Sequence, residues 1–145
     1  EVLAPFERES GENPYTVQAD LQELMQNHVG IARDETGLRR ALEEIEKLKD
    51  RVRRVSVKGN REYNPGWNTA LDLKSLLIVS EAAARAGLER RESRGAHTRL
   101  DFPQSDAEWE RMEVVVRRDG TETKVERRRQ PDLPEDLKKI IEEAA

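Results

Sequence analysis

The spacing of apolar residues predicts two helices in the first third of the chain. In the first, apolar side chains recur at steps of four, three and one from Val17 to Met25, as on one face of a helix. The preceding pair Asn13-Pro14 is typical of a helix start, with a capping side chain and a proline in the first turn. In the second, apolar residues recur at steps of three or four from Leu38 to Val55. This narrow stripe between charged residues resembles a coiled-coil seam.

A third helix is predicted to begin near Trp67 or Asn68. Its middle, from Leu71 to Ala86, is apolar on nearly all sides, which predicts that it is the most buried of the three helices. Short connections between three helices favour an antiparallel three-helix bundle similar to a spectrin repeat. The fold class is therefore predicted to be mainly α.

After Arg91 the helical pattern ends, and residues 93–103 are predicted to form an ordered extended loop. Ser105 is expected to cap a short helical turn before Trp109. Apolar and polar residues then alternate on both sides of the pair Asp119-Gly120, a pattern typical of a β-hairpin. The chain is expected to end in a short helix that begins at Pro134.

These patterns divide the chain into three parts. Residues 1–12 contain no apolar period and are predicted to be a flexible lead-in. Residues 13–103 are predicted to form the helical bundle together with its loop. Residues 104–145 are predicted to form a hairpin and a C-terminal tail that pack on the bundle.

Composition narrows the possible functions. Charged residues make up 39% of the chain, yet the net charge is only -4, and the two signs are interspersed. No broad field is expected to attract nucleic acid or an anionic membrane. The absence of cysteine excludes disulfides, thiolate catalysis and iron–sulfur ligation by this chain. No apolar run approaches the ~20 residues of a membrane-spanning helix, so direct membrane insertion is not expected.

One cluster of polar residues has side chains that could bind a ligand or transfer a proton. Two guanidinium groups in it could clamp a carboxylate or phosphate, and an imidazole could move protons near neutral pH. The preferred interpretation is that these side chains fix the loop or dock it on another domain. Arginine would then bind backbone carbonyls and histidine would donate to the backbone. No catalytic or metal-binding residue is assigned; the candidate docking or loop-fixing residues are Glu92, Ser93, Arg94, His97, Arg99 and Asp101.

The segment from Arg91 to Pro103, RESRGAHTRLDFP, resembles the signature near the C-terminus of the succinate dehydrogenase and fumarate reductase flavoprotein family. Similarity extends to the helix before it, with Leu71-Asp72-Leu73 and Glu81-Ala82, and to Val29-Gly30-Ile31 near the first helix. L-aspartate oxidase carries a similar block.

The resemblance implies a helical domain packed on a larger flavin domain of the same chain. The whole enzyme would interconvert succinate and fumarate through FAD and pass electrons to an iron–sulfur subunit and a quinone. It would be cytoplasmic, in a complex peripheral to the membrane. The FAD-binding glycine-rich turn lies upstream in that family, and no G-x-G-x-x-G occurs in this chain. No cofactor is therefore expected to bind these residues. Because the sequence begins at Glu1, it is expected to be part of a longer protein.

Two alternatives remain open. The same domain occurs in L-aspartate oxidase, which makes iminoaspartate and needs no iron–sulfur partner. The seam from Leu38 to Val55 would also suit a stand-alone helical interaction module, since such a stripe can bind a partner helix.

Overall fold

The structure is a computed structural model that describes residues 2–120 and 122–144. The described residues form helices, short strands and one 3-10 turn. In chain order they are α1 (Ala4–Glu7), α2 (Pro14–His28), β1 (Ala32–Arg33), α3 (Glu35–Val52), α4 (Pro65–Glu89), β2 (Thr98–Arg99), a 3-10 turn (Ala107–Trp109), β3 (Met112–Asp119), β4 (Glu122–Arg129) and α5 (Glu135–Ala144).

The three long helices α2, α3 and α4 pack against one another in a bundle. Leu38, at the start of α3, lies beside Gly87, near the end of α4. Arg51, near the end of α3, pairs with Asp20 in the first half of α2. Successive helices therefore run in opposite directions. The predicted three-helix bundle, followed by a loop, a hairpin and a short helix, is confirmed.

Side-chain caps define where these helices begin. The Asn13 side chain accepts a hydrogen bond from the Tyr15 N–H at 2.9 Å, and Asp34 accepts one from Gly37 at 2.7 Å. Asn64 accepts a hydrogen bond from the Trp67 N–H at 3.1 Å, so α4 begins at Pro65. The predicted start at Trp67 or Asn68 was wrong because asparagine and proline were interpreted as loop residues instead of a cap and a first helical residue.

The apolar stripe of α3 forms most of its contact with the bundle. Leu38, Ile45 and Leu48 are buried, whereas Val55 lies beyond the helix, which ends at Val52. Val55 is also buried and forms an isolated parallel β-bridge with Glu12. The stripe therefore extends past the helix into a segment that packs by β-type contacts.

The middle of α4 is apolar on nearly all sides, but it is not buried on all of them. Leu73 and Leu77 face the core, but Ile78 is 64% exposed and Val79 is 66% exposed. The reason is geometric, since only part of a helix surface can contact two partner helices. Part of the apolar surface of α4, which includes Ile78 and Val79, therefore remains uncovered by the residues that the structure describes.

Within the lead-in that the sequence predicts for residues 1–12, the structure describes residues 2–12. They include the short helix α1. The carbonyl of Pro5 accepts a hydrogen bond from the Val57 N–H at 2.9 Å, and the carbonyl of Val2 accepts one from the Trp67 indole at 2.9 Å. This segment packs across the end of the bundle where α3 ends and α4 begins.

The predicted hairpin is present, with β3 and β4 antiparallel and Asp119 opposite Glu122. Gly120 takes a φ of +60° at its turn, a conformation that side chains disfavour. Both strands contact α4. The sequence predicts a C-terminal tail that packs on the bundle. The C-terminal helix α5 instead leaves Leu137, Ile140 and Ile141 exposed. None of the described helices is both long and apolar enough to cross a membrane.

Candidate functional site

The polar cluster lies in the segment that joins α4 to the 3-10 turn. Strands β1 and β2 pair in parallel, with Arg33 opposite Arg99, and tie this segment to the connection between α2 and α3. The carbonyl of Arg33 accepts a hydrogen bond from the Leu100 N–H at 2.9 Å. The loop is therefore held where α3 begins and α4 ends.

Glu92 is the centre of the first group. Its side chain is completely buried and accepts hydrogen bonds from Arg90 Nε at 2.9 Å and from Arg94 Nη2 at 3.1 Å. The backbone N–H of Asp106 donates to it at 2.9 Å. Burial disfavours the charged carboxylate, but the hydrogen bonds from Arg94, the Asp106 backbone and Arg90 outweigh it and lower the pKa of Glu92 to about 2.

Arg99 is the centre of the second group and is also completely buried. Its Nε and Nη2 each donate to one oxygen of Asp101 at 2.8 Å, the bidentate geometry that suits a guanidinium. Its Nη1 donates to the carbonyl of Gly87 at 2.8 Å, at the end of α4. The guanidinium carbon also lies 5.0 Å from the centroid of the Phe102 ring, within cation–π distance.

Asp101 connects the second group to α3. Its Oδ2 accepts a hydrogen bond from the Glu35 N–H at 3.0 Å, at the N-terminus of α3, where a negative charge is favourable. The hydrogen bond from Arg99 lowers the pKa of Asp101 to about 2, although burial opposes the shift. One carboxylate therefore joins the loop to two helices, through Arg99 to α4 and directly to α3.

Ser93 and His97 bind the backbone of the loop. The Ser93 hydroxyl accepts a hydrogen bond from the Arg99 N–H at 2.8 Å and lies 2.9 Å from the Phe102 carbonyl, to which it can donate. The His97 Nε2 lies 3.0 Å from the Arg90 carbonyl. Because a carbonyl can only accept, this nitrogen carries the proton. Burial lowers the pKa of His97, as do the nearby arginines Arg33, Arg99 and Arg90, despite the hydrogen bond to Arg90.

The structure does not bring Arg94 and Arg99 onto one ligand. Arg94 binds Glu92 and the Asp106 carbonyl, whereas Arg99 binds Asp101. The clamp for a free carboxylate or phosphate that the sequence permits is therefore absent from this arrangement of the described residues. What the contacts do is hold the loop on the ends of α3 and α4.

Sequence reasoning missed two residues of this site. Arg90 binds Glu92 and also donates to the carbonyls of Met112 and Trp109 at 3.1 and 3.0 Å. Arg90 directly precedes the segment that begins at Arg91, and this position was the signal by which the sequence could have indicated it. Arg33 faces the same cluster from β1 and follows the similar segment Val29-Gly30-Ile31.

The 3-10 turn that follows the loop also has a different cap from the predicted one. Asp106, one residue after Ser105, accepts the hydrogen bond from the Glu108 N–H at 2.9 Å. The turn therefore starts one residue later than the sequence analysis expected.

The described residues do not fit an FAD site. A dinucleotide fold binds the pyrophosphate between a strand and a helix N-terminus, with a glycine-rich turn inside a parallel sheet. Here the glycines with positive φ are Gly59, Gly95 and Gly120, in three separate turns, and the parallel pair β1–β2 is two residues long. Nor do the described residues contain three or more His, Cys, Asp or Glu side chains grouped to hold a metal ion.

Comparison with known proteins identifies relatives of this architecture. Residues 18–139 match the family model described as "Fumarate reductase flavoprotein C-term". The fumarate reductase flavoprotein subunit of Mycobacterium tuberculosis is 37% identical over 116 residues, which cover 78% of this chain and 20% of that protein. The succinate dehydrogenase flavoprotein subunit of Coxiella burnetii is 35% identical over 108 residues, which cover 73% of this chain and 18% of that protein.

Among solved structures, Mycobacterium smegmatis Sdh1 in complex with UQ1 superposes with a TM-score of 0.89 at 42% identity. The match covers 99% of this chain and 25% of that one. The chain therefore spans about a fifth of the length of the curated relatives it matches. Since the family model covers most of the chain and these relatives are between 35% and 42% identical to it, the chain belongs to the family of C-terminal domains of succinate dehydrogenase and fumarate reductase flavoproteins.

Proposed function

We propose that this chain is the C-terminal helical domain of a longer, FAD-dependent succinate dehydrogenase or fumarate reductase flavoprotein subunit, and that it functions by packing on the flavin domain. The observation that carries this proposal is the family match together with the short span, about a fifth, of the matched subunits. FAD and the reacting groups would belong to the rest of that chain.

The surface of α4 supports a packing role. Leu76, Val79 and Ala83 follow one another at helical spacing and all three are exposed. Exposed apolar strips of this kind are typical of surfaces that another protein segment covers. The flavin domain of the same chain is the occupant that the family membership suggests.

The whole enzyme would move a hydride between a four-carbon dicarboxylate and the flavin, interconverting succinate and fumarate. Electrons would pass to an iron–sulfur subunit and then to a quinone. The relative solved with UQ1 supports a quinone as the acceptor. In this proposal the complex is cytoplasmic and peripheral to the membrane, and the present chain supplies no catalytic residue.

The stand-alone interaction module has lost its main support. Its basis was the apolar stripe of α3, and Leu38, Ile45 and Leu48 of that stripe are buried between α2 and α4. These residues are therefore not free to bind a helix of another protein without opening the bundle.

The test uses the longer chain that contains these residues, purified with its own upstream sequence. We expect it to retain FAD, to oxidise succinate with an artificial electron acceptor and to reduce fumarate with a reduced dye, whereas the 145-residue chain alone should be colourless. Oxidation of L-aspartate without turnover of succinate or fumarate would overturn the proposal in favour of aspartate oxidase. A longer chain without flavin would overturn both.

A further inference from the structure

We propose that Arg33 is an anchor for a carboxylate side chain of the flavin domain, so that this domain is held to the rest of its chain by an ion pair beside the RESRGAH loop. The inference rests on the proposed function, because it requires a flavin domain upstream. It names a contact residue outside the motif that identifies the family.

The first observation is an incomplete hydrogen-bonding pattern. Arg33 is half-buried, and its Nε is shielded from solvent and has no hydrogen-bond partner. Neither a hydrogen bond nor an ion pair joins the Arg33 side chain to the residues that the structure describes. A desolvated donor without a partner is unfavourable. The Nη1 and Nη2 atoms also lack hydrogen-bond partners among the described residues but are not shielded from solvent, so they are the atoms that a partner outside these residues can reach.

The second observation is that the acidic residues next to Arg33 in the chain and in the facing segment already have partners. Asp34 accepts the capping hydrogen bond from Gly37, and Glu35 pairs with Arg39 at 2.7 Å. Asp101, which belongs to the facing segment, is held by both nitrogens of the Arg99 fork. Each of these three carboxylates therefore already accepts a hydrogen bond or forms an ion pair with another group.

The third observation is a local excess of positive charge. Arg33 lies opposite Arg99 across the parallel pair β1–β2. Burial lowers the pKa of Arg33, and so does the positive charge of Arg99. Two neighbouring positive charges favour the binding of a further anion, and an Asp or Glu side chain matches the fork geometry of a guanidinium.

The fourth observation is that packing holds the Arg33 side chain in place. A Cβ atom on Gly87 would lie only 3.2 Å from Arg33 Nη1 and 3.6 Å from Arg33 Cδ. The side chain therefore lies against the glycine of α4, where any larger residue would displace it. A guanidinium positioned in this way loses little further conformational freedom when it binds.

The experiment compares one substitution in two chains. Arg33→Gln is made in the longer flavoprotein chain and in the 145-residue chain, and hydrogen–deuterium exchange is followed in residues 29–34 and 94–100. In the longer chain we expect about tenfold faster exchange in these segments, since local opening becomes easier when the ion pair is lost. In the 145-residue chain we expect unchanged or slower exchange, because the substitution removes a desolvated cation.

Two control variants sharpen the comparison. Arg33→Lys keeps the charge and should retain part of the protection in the longer chain. Arg40→Gln removes an exposed arginine of α3 and should leave exchange in both chains unchanged.

Faster exchange in both chains to the same extent would overturn the inference and make Arg33 an internal structural residue. A raised KM for succinate or fumarate without a change in exchange would also overturn it, because Arg33 would then bind the substrate. Failure of the proposed function is read separately, from the flavin content and turnover of the unsubstituted longer chain. The difference between the two chains does not depend on which substrate the enzyme turns over.

Discussion

Charged side chains in this protein are buried where each is matched by several partners. Glu92 and Arg99 are both fully buried, a situation that is costly for an ion without hydrogen bonds. Glu92 has two arginines and a backbone N–H, and Arg99 has a carboxylate and backbone carbonyls. Removing one partner therefore leaves an uncompensated buried charge, which is a larger loss than the pair's own net contribution.

The depressed pKa of Glu92 makes stability depend on pH. In the folded chain the pKa is about 2, against an ordinary value of 4.5, so its contribution is complete above pH ~5 and is lost as the pH falls toward 2. Glu92→Gln should cost roughly 2–4 kcal/mol at pH 7 and should make the loss of stability between pH 5 and pH 2 shallower. Urea unfolding at several pH values measures both effects.

Glu43→Gln is the matched control, because this carboxyl is exposed on α3 and its loss should change stability by less than ~0.5 kcal/mol. Equal pH slopes for Glu92→Gln and the unsubstituted chain would contradict the lowered pKa.

Arg99 tests whether the planar fork is needed or only the charge. Lysine can pair with Asp101 but cannot donate to both of its oxygens and to Gly87 in the same geometry. We expect Arg99→Lys to lower the free energy of unfolding by roughly 2–4 kcal/mol. Arg40→Lys, at an exposed site of α3, should lie within ~0.5 kcal/mol of the unsubstituted chain in the same urea titration. Equal midpoints for both variants would mean that charge alone suffices.

At the scale of the elements, arginine side chains join the hairpin and the 3-10 turn to the C-terminal end of α4. The hairpin is held to α4 by Arg127, whose Nε donates to Glu89 at 2.6 Å and whose guanidinium lies 4.6 Å from the centroid of the buried Trp109 ring. Arg90 approaches the same ring at 5.3 Å. These contacts bring the C-terminal end of α4, the 3-10 turn and the hairpin together close to Glu92 in the chain.

Asn64 fixes the start of α4 and orders the turn before it. Its side chain accepts from the Trp67 N–H and donates to the carbonyls of Lys58 and Asn60 at 3.1 and 2.8 Å. Asn64→Ala should therefore cost about 1–2 kcal/mol. Asn68→Ala, at an exposed position in the first turns of α4, should be neutral or slightly stabilising because alanine favours helix. A urea midpoint that falls equally for both variants would show that the cap is not the cause.

At the scale of the whole molecule, the exposed apolar residues of α4 offer a test of the proposed packing on the flavin domain. Val79 is 66% exposed, so Val79→Lys should change the stability of the 145-residue chain by less than ~0.5 kcal/mol. In the longer flavoprotein chain the same substitution would place an ammonium group in an apolar contact. We expect a lower thermal midpoint and easier loss of FAD there, followed by differential scanning fluorimetry and flavin fluorescence.

Ala19→Lys, on an exposed position of α2, is the control for added charge. If Val79→Lys left the thermal midpoint of the longer chain unchanged, α4 would not be the surface that contacts the flavin domain.

Much of the architecture follows from local rules. The caps at Asn13 and Asp34, the α3 stripe and the Asp119-Gly120 turn depend on short-range spacing and turn chemistry, which can be recognised in one sequence. Spacing does not identify the exposed apolar face of α4, because an all-round apolar pattern cannot distinguish a core face from a face that the described residues leave uncovered. Nor does spacing reveal the contacts of residues 2–12 with Val55, Val57 and Trp67, because these residues are distant in sequence.

The RESRGAH segment shows the same division most clearly. Its residue types were sufficient to indicate the family and to predict a loop rich in hydrogen bonds, because such types at fixed spacing are a property of the sequence. Which partner each side chain takes was decided by the tertiary structure, which buries Glu92 between Arg90 and Arg94 and encloses Arg99 against Asp101 and Gly87. Only the fold reveals that Arg33 remains without a partner among the described residues, since hydrogen-bond satisfaction depends on contacts between segments that are far apart in the chain.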